Sequence, residues 1–214
     1  SGYVMMDAAF FDRWSLEYDD DVIACDEANL YPFAGYRRTL ESLLDAIKAK
    51  PGAKVLDLGF GTAKLTQKLY DTGYEISGLD FSPEMCRIAR EKMPKAHLFC
   101  FDFAQGLPTA FKDASFDIIV SSYAFHHVPD SLKPARIVEW YDALNPGGVI
   151  LIGDVAFLNE QSLELSRSDA GDEWDEDEDY MVFSFLQPEI AHLSPKYEQI
   201  SYCAGILTIY KTYC

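Results

Sequence analysis

The chain has 214 residues, of which 49% are hydrophobic and 14% aromatic, which supports a sizeable core and excludes a disordered chain. Its net charge of −17 repels phosphate backbones and argues against a nucleic-acid partner. The five cysteines, Cys25, Cys86, Cys100, Cys203 and Cys214, are scattered and contain no Cys-x-x-Cys pair, so reduced thiols in a cytoplasm are expected rather than a disulfide frame or zinc site.

Apolar runs such as 149–152 are too short to span a bilayer, and no signal peptide is visible. Ser1-Gly2 reads as a cloning remnant ahead of Met5 or Met6. Residues 7–22 then carry Phe10, Phe11, Trp14 and Tyr18 between acids, the spacing of an amphipathic helix. Over 36–50, Tyr36, Leu40, Leu43, Leu44 and Ile47 form a second helical stripe, which Pro51-Gly52 ends. Tyr31 and Tyr36 read as packing residues within reach of a ligand.

The stretch 54–63, Lys-Val-Leu-Asp-Leu-Gly-Phe-Gly-Thr-Ala, organises the rest. It reads as a buried strand, a tight turn and the start of a helix. Gly59 and Gly61 let the backbone turn and a ligand approach closely. The helix that follows aims its N-terminal N–H groups at that ligand. Asp57, just before the glycines, repels a pyrophosphate but can orient an ammonium. It favours a nucleoside with a cationic amino-acid tail over a dinucleotide, and Lys64 stands where a dinucleotide fingerprint wants glycine.

Leu65, Leu69 and Tyr70 give the next helix an apolar face, 74–79 reads as strand two, and Asp80 ends that strand. An acid about 20 residues past the glycines suits ribose hydroxyls. Ser82-Pro83 gives it a second reading, as an acid at a helix start. A helix over 84–93 and a strand over 96–101 follow, closed by Asp102-Phe103. Asp102 can accept from an adenine amino group or merely solvate a loop, and Phe103 can pack on a ring. After a polar loop over 104–115, Phe116-Asp117-Ile118-Ile119-Val120-Ser121-Ser122 is strand four, leading into Tyr123-Ala124-Phe125-His126-His127-Val128.

Ser131 is expected to cap a helix with Ile137, Val138, Trp140 and Tyr141 as anchors, and 149–152 is strand five after a Pro146-Gly147-Gly148 break. Eight acids within 169–179 favour a solvated loop or fraying helix, or alternatively attract a cationic substrate or basic partner. A metal on His126 and His127 is not expected, because no Cys or Glu follows at ligand spacing. Runs at 197–203 and 206–210 around Ala204-Gly205 read as a terminal hairpin.

Asp57-Leu58-Gly59-Phe60-Gly61 resembles the first motif of the class I S-adenosylmethionine-dependent methyltransferases, with Ala63 in place of the usual third glycine. The run from Ser121 to His127 is similar to that of the YrrT-like bacterial methyltransferases, and the Trp14 and Tyr36 regions fit them too. The resemblance runs from about residue 10 to 212. It implies a Rossmann-like α/β fold: a doubly wound, seven-stranded, mainly parallel sheet with a C-terminal antiparallel hairpin. It further implies a single domain over 1–214, with a helical cover over 7–50 and an acidic insert over about 157–195.

The implied cofactor is S-adenosyl-L-methionine, held by Tyr18, Asp57, Gly59, Phe60, Gly61, Asp80, Phe81, Asp102, Phe103 and Ser121. The expected reaction is methyl transfer to a small-molecule acceptor, with His126 or His127 as base where one is needed and Tyr123 behind them. Two other readings remain open: a non-catalytic nucleoside-binding domain of the same fold, and a nicotinamide-dependent oxidoreductase.

Overall fold

The computed structural model describes residues 18–112 and 115–213, with only the backbone described at Tyr18 and Asp19. The expected helix over 7–22 therefore lies largely outside the described residues, and Phe10, Phe11 and Trp14 with it. Helices α1 (Tyr18–Glu27) and α2 (Tyr36–Lys48) precede β1 (Lys54–Leu58). Alternation follows through α3 (Lys64–Asp71), β2 (Glu75–Asp80), α4 (Pro83–Lys92), β3 (His97–Cys100), α5 (Thr109–Lys112), β4 (Phe116–Ser122), α6 (Lys133–Asp142) and β5 (Leu144–Phe157). The chain ends with α7 (Glu160–Ala170), β6 (Met181–Val182), α8 (Phe183–Ile190), β7 (Lys196–Ser201) and β8 (Ala204–Tyr210).

The sheet order is β3-β2-β1-β4-β5-β8-β7. Strands β1 to β5 pair in parallel, and β8 lies antiparallel between β5 and β7. This is the expected doubly wound sheet with a terminal hairpin. The two-residue β6 is an addition, paired in parallel with the far end of β5.

Strand alternation divides the core in two. Leu56, Leu58, Ile119, Ile150 and Ile152 face Phe125, Ile137 and Trp140 on the α6 side. Val55, Ile76, Ile118, Val120 and Leu151 face Leu43, Ile47, Leu65, Leu69 and Met85 on the α2, α3 and α4 side. With both faces covered, the central strands are near-continuous apolar runs, as parallel sheets require. Burying each of these large side chains stabilises the fold by about 1.5–3 kcal/mol. Among the described residues, no helix is long and apolar enough to cross a membrane, and Cys25, Cys86, Cys100 and Cys203 are free.

Three local expectations change. The loop over 104–115 contains a 3-10 turn (Phe103–Gln105) and the short α5. Ser131 does not cap α6: it lies within a 3-10 turn (Asp130–Leu132), and the helix starts at Lys133 with Pro134 in its first turn. The acidic segment is more ordered than a solvated loop, because α7 and a 3-10 turn (Gly171–Glu173) carry its first part.

Candidate active site

The carboxyl ends of β1, β2 and β4 open onto one cleft, where ligands sit in open α/β sheets. Gly59, Phe60, Gly61, Asp80, Phe81 and Phe103 of the expected cofactor set line it, joined by Ser122, Tyr123, Ala124 and His127. Gly59 has φ +81°, and a Cβ there would lie 2.3 Å from the Ala124 Cβ and 3.2 Å from the Phe103 ring. Glycine is therefore required by both conformation and space. At Gly61, also at positive φ, nothing lies within 4 Å of such a Cβ, so that backbone faces open space. Ala63 adopts φ 64° at the start of α3, the conformation that the usual third glycine would take without strain.

Asp80 is held by two backbone donors, Gly61 N–H at 2.8 Å and Ser82 N–H at 3.0 Å. The helix-start reading of this acid is therefore seen directly, since Ser82, which it holds, also caps α4. Asp57 lies beneath the glycine turn, 1% exposed. Its Oδ2 accepts from the Thr66 hydroxyl at 2.5 Å, and its Oδ1 has no hydrogen-bond partner among the described residues. Burial, only partly offset by Thr66, pushes its carboxyl up to about 7, and Asp80 adds to the push.

An orphaned buried carboxylate oxygen, a glycine-lined approach and an acid at the next strand end fit a nucleoside with an ammonium-bearing tail. Asp57, buried behind the turn, and Asp102 and Ser121 are not among the residues that line the cleft. Asp102 caps the 3-10 turn through Ala104 N–H, and Ser121 alternates to the α6 face of β4 while Ser122 faces the cleft. Tyr18 lies at the start of α1, its side chain outside the described residues.

A second, larger cavity of about 770 Å³ adjoins the first. Tyr123 lines both, and its φ of 52° places backbone strain at the wall between them. Burial pushes its hydroxyl pKa well above the ordinary value, so it stays protonated. The two histidines divide: His126 lines the large cavity and His127 the cleft at the glycine turn, with ring centroids 4.3 Å apart.

Their chemistry divides as well. Asp154, fully buried near the end of β5, accepts from His126 Nδ1 at 2.8 Å and from the His126 backbone N–H at 2.7 Å. That bond assigns the proton to Nδ1 and leaves Nε2 as the acceptor. Burial alone would depress the His126 pKa, but the Asp154 charge and hydrogen bond outweigh it and raise it. The Asp154 carboxylate is bonded to the His126 ring. Burial, and then the charge of His126, hold the His127 pKa well below the ordinary value.

The acidic segment supplies the opposite wall. Glu178, its side chain only 6% exposed, places Oε2 3.7 Å from His126 Nε2 and 3.8 Å from His127 Nδ1. Burial pushes its carboxyl up to about 7 against the pull of His126. Thus the fold brings a Glu to the histidine pair from a distant segment, and the three sets of ligand atoms come within 4.8 Å of one another.

Lys133 pins this segment: its buried Nζ donates to Val128 O, Asp130 Oδ1 and Asp179 O at 2.6–2.7 Å. Tyr31 closes it from the other side, bonded to the Tyr180 hydroxyl at 2.5 Å, accepting from Asp175 N–H, and stacked on Trp174. Sequence reasoning missed Asp154 and Glu178. Asp154 carried a usable signal, a lone acid inside the apolar run 149–157, whereas Glu178 was one of many acids.

Comparison with known proteins agrees with this geometry. The family described as "Methyltransferase domain" matches residues 55–148. An uncharacterized methyltransferase of Anoxybacillus flavithermus is 35% identical over 161 residues, covering 75% of this chain and 72% of its own. One from Alkaliphilus oremlandii is 36% identical over 151 residues, covering 71% and 68%. Among solved structures, the complex of DhpI with SAH is similar with a TM-score of 0.67 at 20% identity, over 96% of this chain and 95% of the other. Magnesium protoporphyrin IX methyltransferase from Synechocystis gives 0.66 at 16% identity, over 96% and 100%. The sheet order, the glycine turn with its acids, and these relatives together place the chain in the class I S-adenosylmethionine-dependent methyltransferases.

Proposed function

We propose that the chain methylates a small molecule held in the 770 Å³ cavity, with the cofactor in the adjoining cleft. The observation that carries this reading is Tyr123, one side chain lining both spaces. When bound, S-adenosylmethionine supplies an electrophilic methyl group. Gly59 and Gly61 admit the cofactor closely, Asp80 accepts from its ribose hydroxyls, Phe81 and Phe103 wall the cleft, and Asp57 answers its ammonium.

The remaining task of the protein is to orient the acceptor in line and exclude water. His126 is the base of this reading: Asp154 fixes its tautomer and stabilises the imidazolium, so Nε2 can take a proton from the acceptor. His127, held neutral on the cofactor side, serves to position groups rather than to carry charge. DhpI, solved with SAM and with SAH, and magnesium protoporphyrin IX methyltransferase, solved with SAH, support a small-molecule acceptor.

The test is methyl transfer from radiolabelled S-adenosylmethionine to a panel of carboxylates, amines, thiols and activated carbon acids. Asp80→Ala should lose cofactor binding, and His126→Gln should keep it but lose turnover. Turnover undiminished in His126→Gln would remove His126 from the mechanism. S-adenosylhomocysteine binding with no turnover on any acceptor would favour the non-catalytic reading.

A further inference from the structure

The larger cavity has a charge pattern that its role as an acceptor site does not by itself require. Asp175 and Glu178 reach it from within, and Asp169 and Glu173 stand at its exposed rim. No lysine or arginine is among the described residues that line it. Its only basic lining group, His126, is already matched to Asp154. Arg167, the arginine of this segment, is paired with Glu164 and Glu176 and lies over the Trp174 ring.

Acids alone would mean little, but two further features point to a ligand. The Glu178 side chain is 6% exposed, lines the cavity, and makes no hydrogen bond among the described residues; the His126 and His127 rings, at 3.7 and 3.8 Å, stand beyond hydrogen-bond reach. A buried carboxylate left in that state is costly unless a cation meets it. Second, the walls beside it are aromatic: Tyr31, Phe33, Tyr123, Tyr180 and Tyr202. Ring faces attract an organic cation through their quadrupoles while accommodating its hydrocarbon part. A carboxylate or phosphate guest would face the same acids unfavourably.

We infer that the acceptor is a cationic amine, its ammonium received by Glu178 with Asp175 and its carbon frame packed against Tyr31 and Tyr180. This rests on the methyl-transfer reading above and names its substrate class. It also gives His126 a defined task. An ammonium has no free pair, so it must first lose a proton, which Nε2 of His126 takes at the mouth shared with Tyr123. The freed nitrogen pair forms the new N–C bond while the methyl's C–S bond breaks, its electrons remaining on sulfur. The product is again a cation, balanced by the same acids.

Calorimetry on the full chain tests this without turnover. The protein is first saturated with S-adenosylhomocysteine, then titrated with 2-phenylethylamine, with 2-phenylethanol as neutral isostere and phenylacetate as anion. The amine should bind at least tenfold tighter than the alcohol, and phenylacetate should not bind. Glu178→Gln should remove that preference while leaving the affinity for S-adenosylhomocysteine unchanged. The wild-type ranking decides the matter even if the variant does not fold. Equal affinity for amine and alcohol, no binding of any of the three, or a preference intact in a folded Glu178→Gln would overturn the inference. So would tight zinc binding that displaces the amine, since His126, His127 and Glu178 would then be holding a metal ion. Failure of S-adenosylhomocysteine to bind at all would instead strike the underlying reading.

Discussion

Replacing Asp57 with Asn should abolish a proton release that accompanies S-adenosylhomocysteine binding. Asp57 is 1% exposed, and its carboxyl stands at about 7 instead of 3.8 because of burial. Below pH 7 the cofactor-free protein therefore holds a proton there. An ammonium brought to the orphaned Oδ1, directly or through water, favours the carboxylate and expels that proton. If binding returns the group to about 4, affinity falls about tenfold for each pH unit below 7, or ~3 kcal/mol between pH 7 and 5. Above pH 7 this group contributes no slope.

The stability of the free protein has a matching sign. The folded form binds this proton more tightly than the unfolded form, so stability declines as pH rises from about 4 through 7, and Asn removes that part of the slope. Calorimetry at pH 6 in two buffers of different ionisation enthalpy reads the proton directly. About one proton should leave the wild type on binding, and that proton should be missing in Asp57→Asn. A pH-independent affinity between 5 and 7, or an unchanged proton count in the variant, would refute the assignment of Asp57 to the ammonium. His126 and Glu178 titrate nearby, which is why the variant is part of the assay.

Asp80→Ala removes the acceptor proposed for the ribose and the anchor of the Gly61 and Ser82 N–H groups, so S-adenosylhomocysteine affinity should drop about 100-fold, ~3 kcal/mol for two charge-assisted bonds, by calorimetry. NADH should bind neither protein, and tight NADH binding would revive an oxidoreductase. Gly59→Ala drives a Cβ to 2.3 Å from Ala124 at φ +81°, and should lower stability by about 2–4 kcal/mol, read as a drop in Tm of roughly 5–15 °C. Lys133→Met leaves the acceptors Val128 O, Asp130 and Asp179 O without their ammonium; a loss of about 3 kcal/mol is expected, with faster hydrogen exchange confined to 175–180. In Asp154→Asn, burial should govern His126 as it governs His127, so its pKa should fall from above 6.5 to below it in an NMR titration, and an unmoved pKa would show that Asp154 does not set it.

The sheet and the cleft at the glycine turn were legible in the sequence because their signals are local. Gly59, Gly61 and Asp80 lie within one strand-turn-helix-strand unit, and each strand is a short apolar run closed by a turn residue or an acid. The choice between neighbouring residues was less legible. Ser121 and Ser122 are chemically identical, and only the registry of β4 against β1 and β5 decides which faces the cleft; alternation gives that place to Ser122. Likewise Asp102 looks like a ligand-facing acid at a strand end, yet its side chain caps the next turn.

The larger cavity was hidden for a deeper reason. His126 and His127 are equivalent as letters, and nothing near them in the chain separates a raised imidazole pKa from a lowered one. The separation comes from Asp154, 28 residues on, which reaches only the first ring, and from Glu178, which the Lys133 anchor holds between both. The acidic run was read by its average, as solvated charge, and for most of its members that is right. Glu178 is the member buried most deeply in the cavity wall, where Tyr31, Trp174 and Tyr180 fold the segment back over the histidines. Charge density predicts solvation for a segment, but a single anchored lysine and three aromatic rings suffice to bury one carboxylate of it, and on that carboxylate the inferred preference for a cationic amine rests.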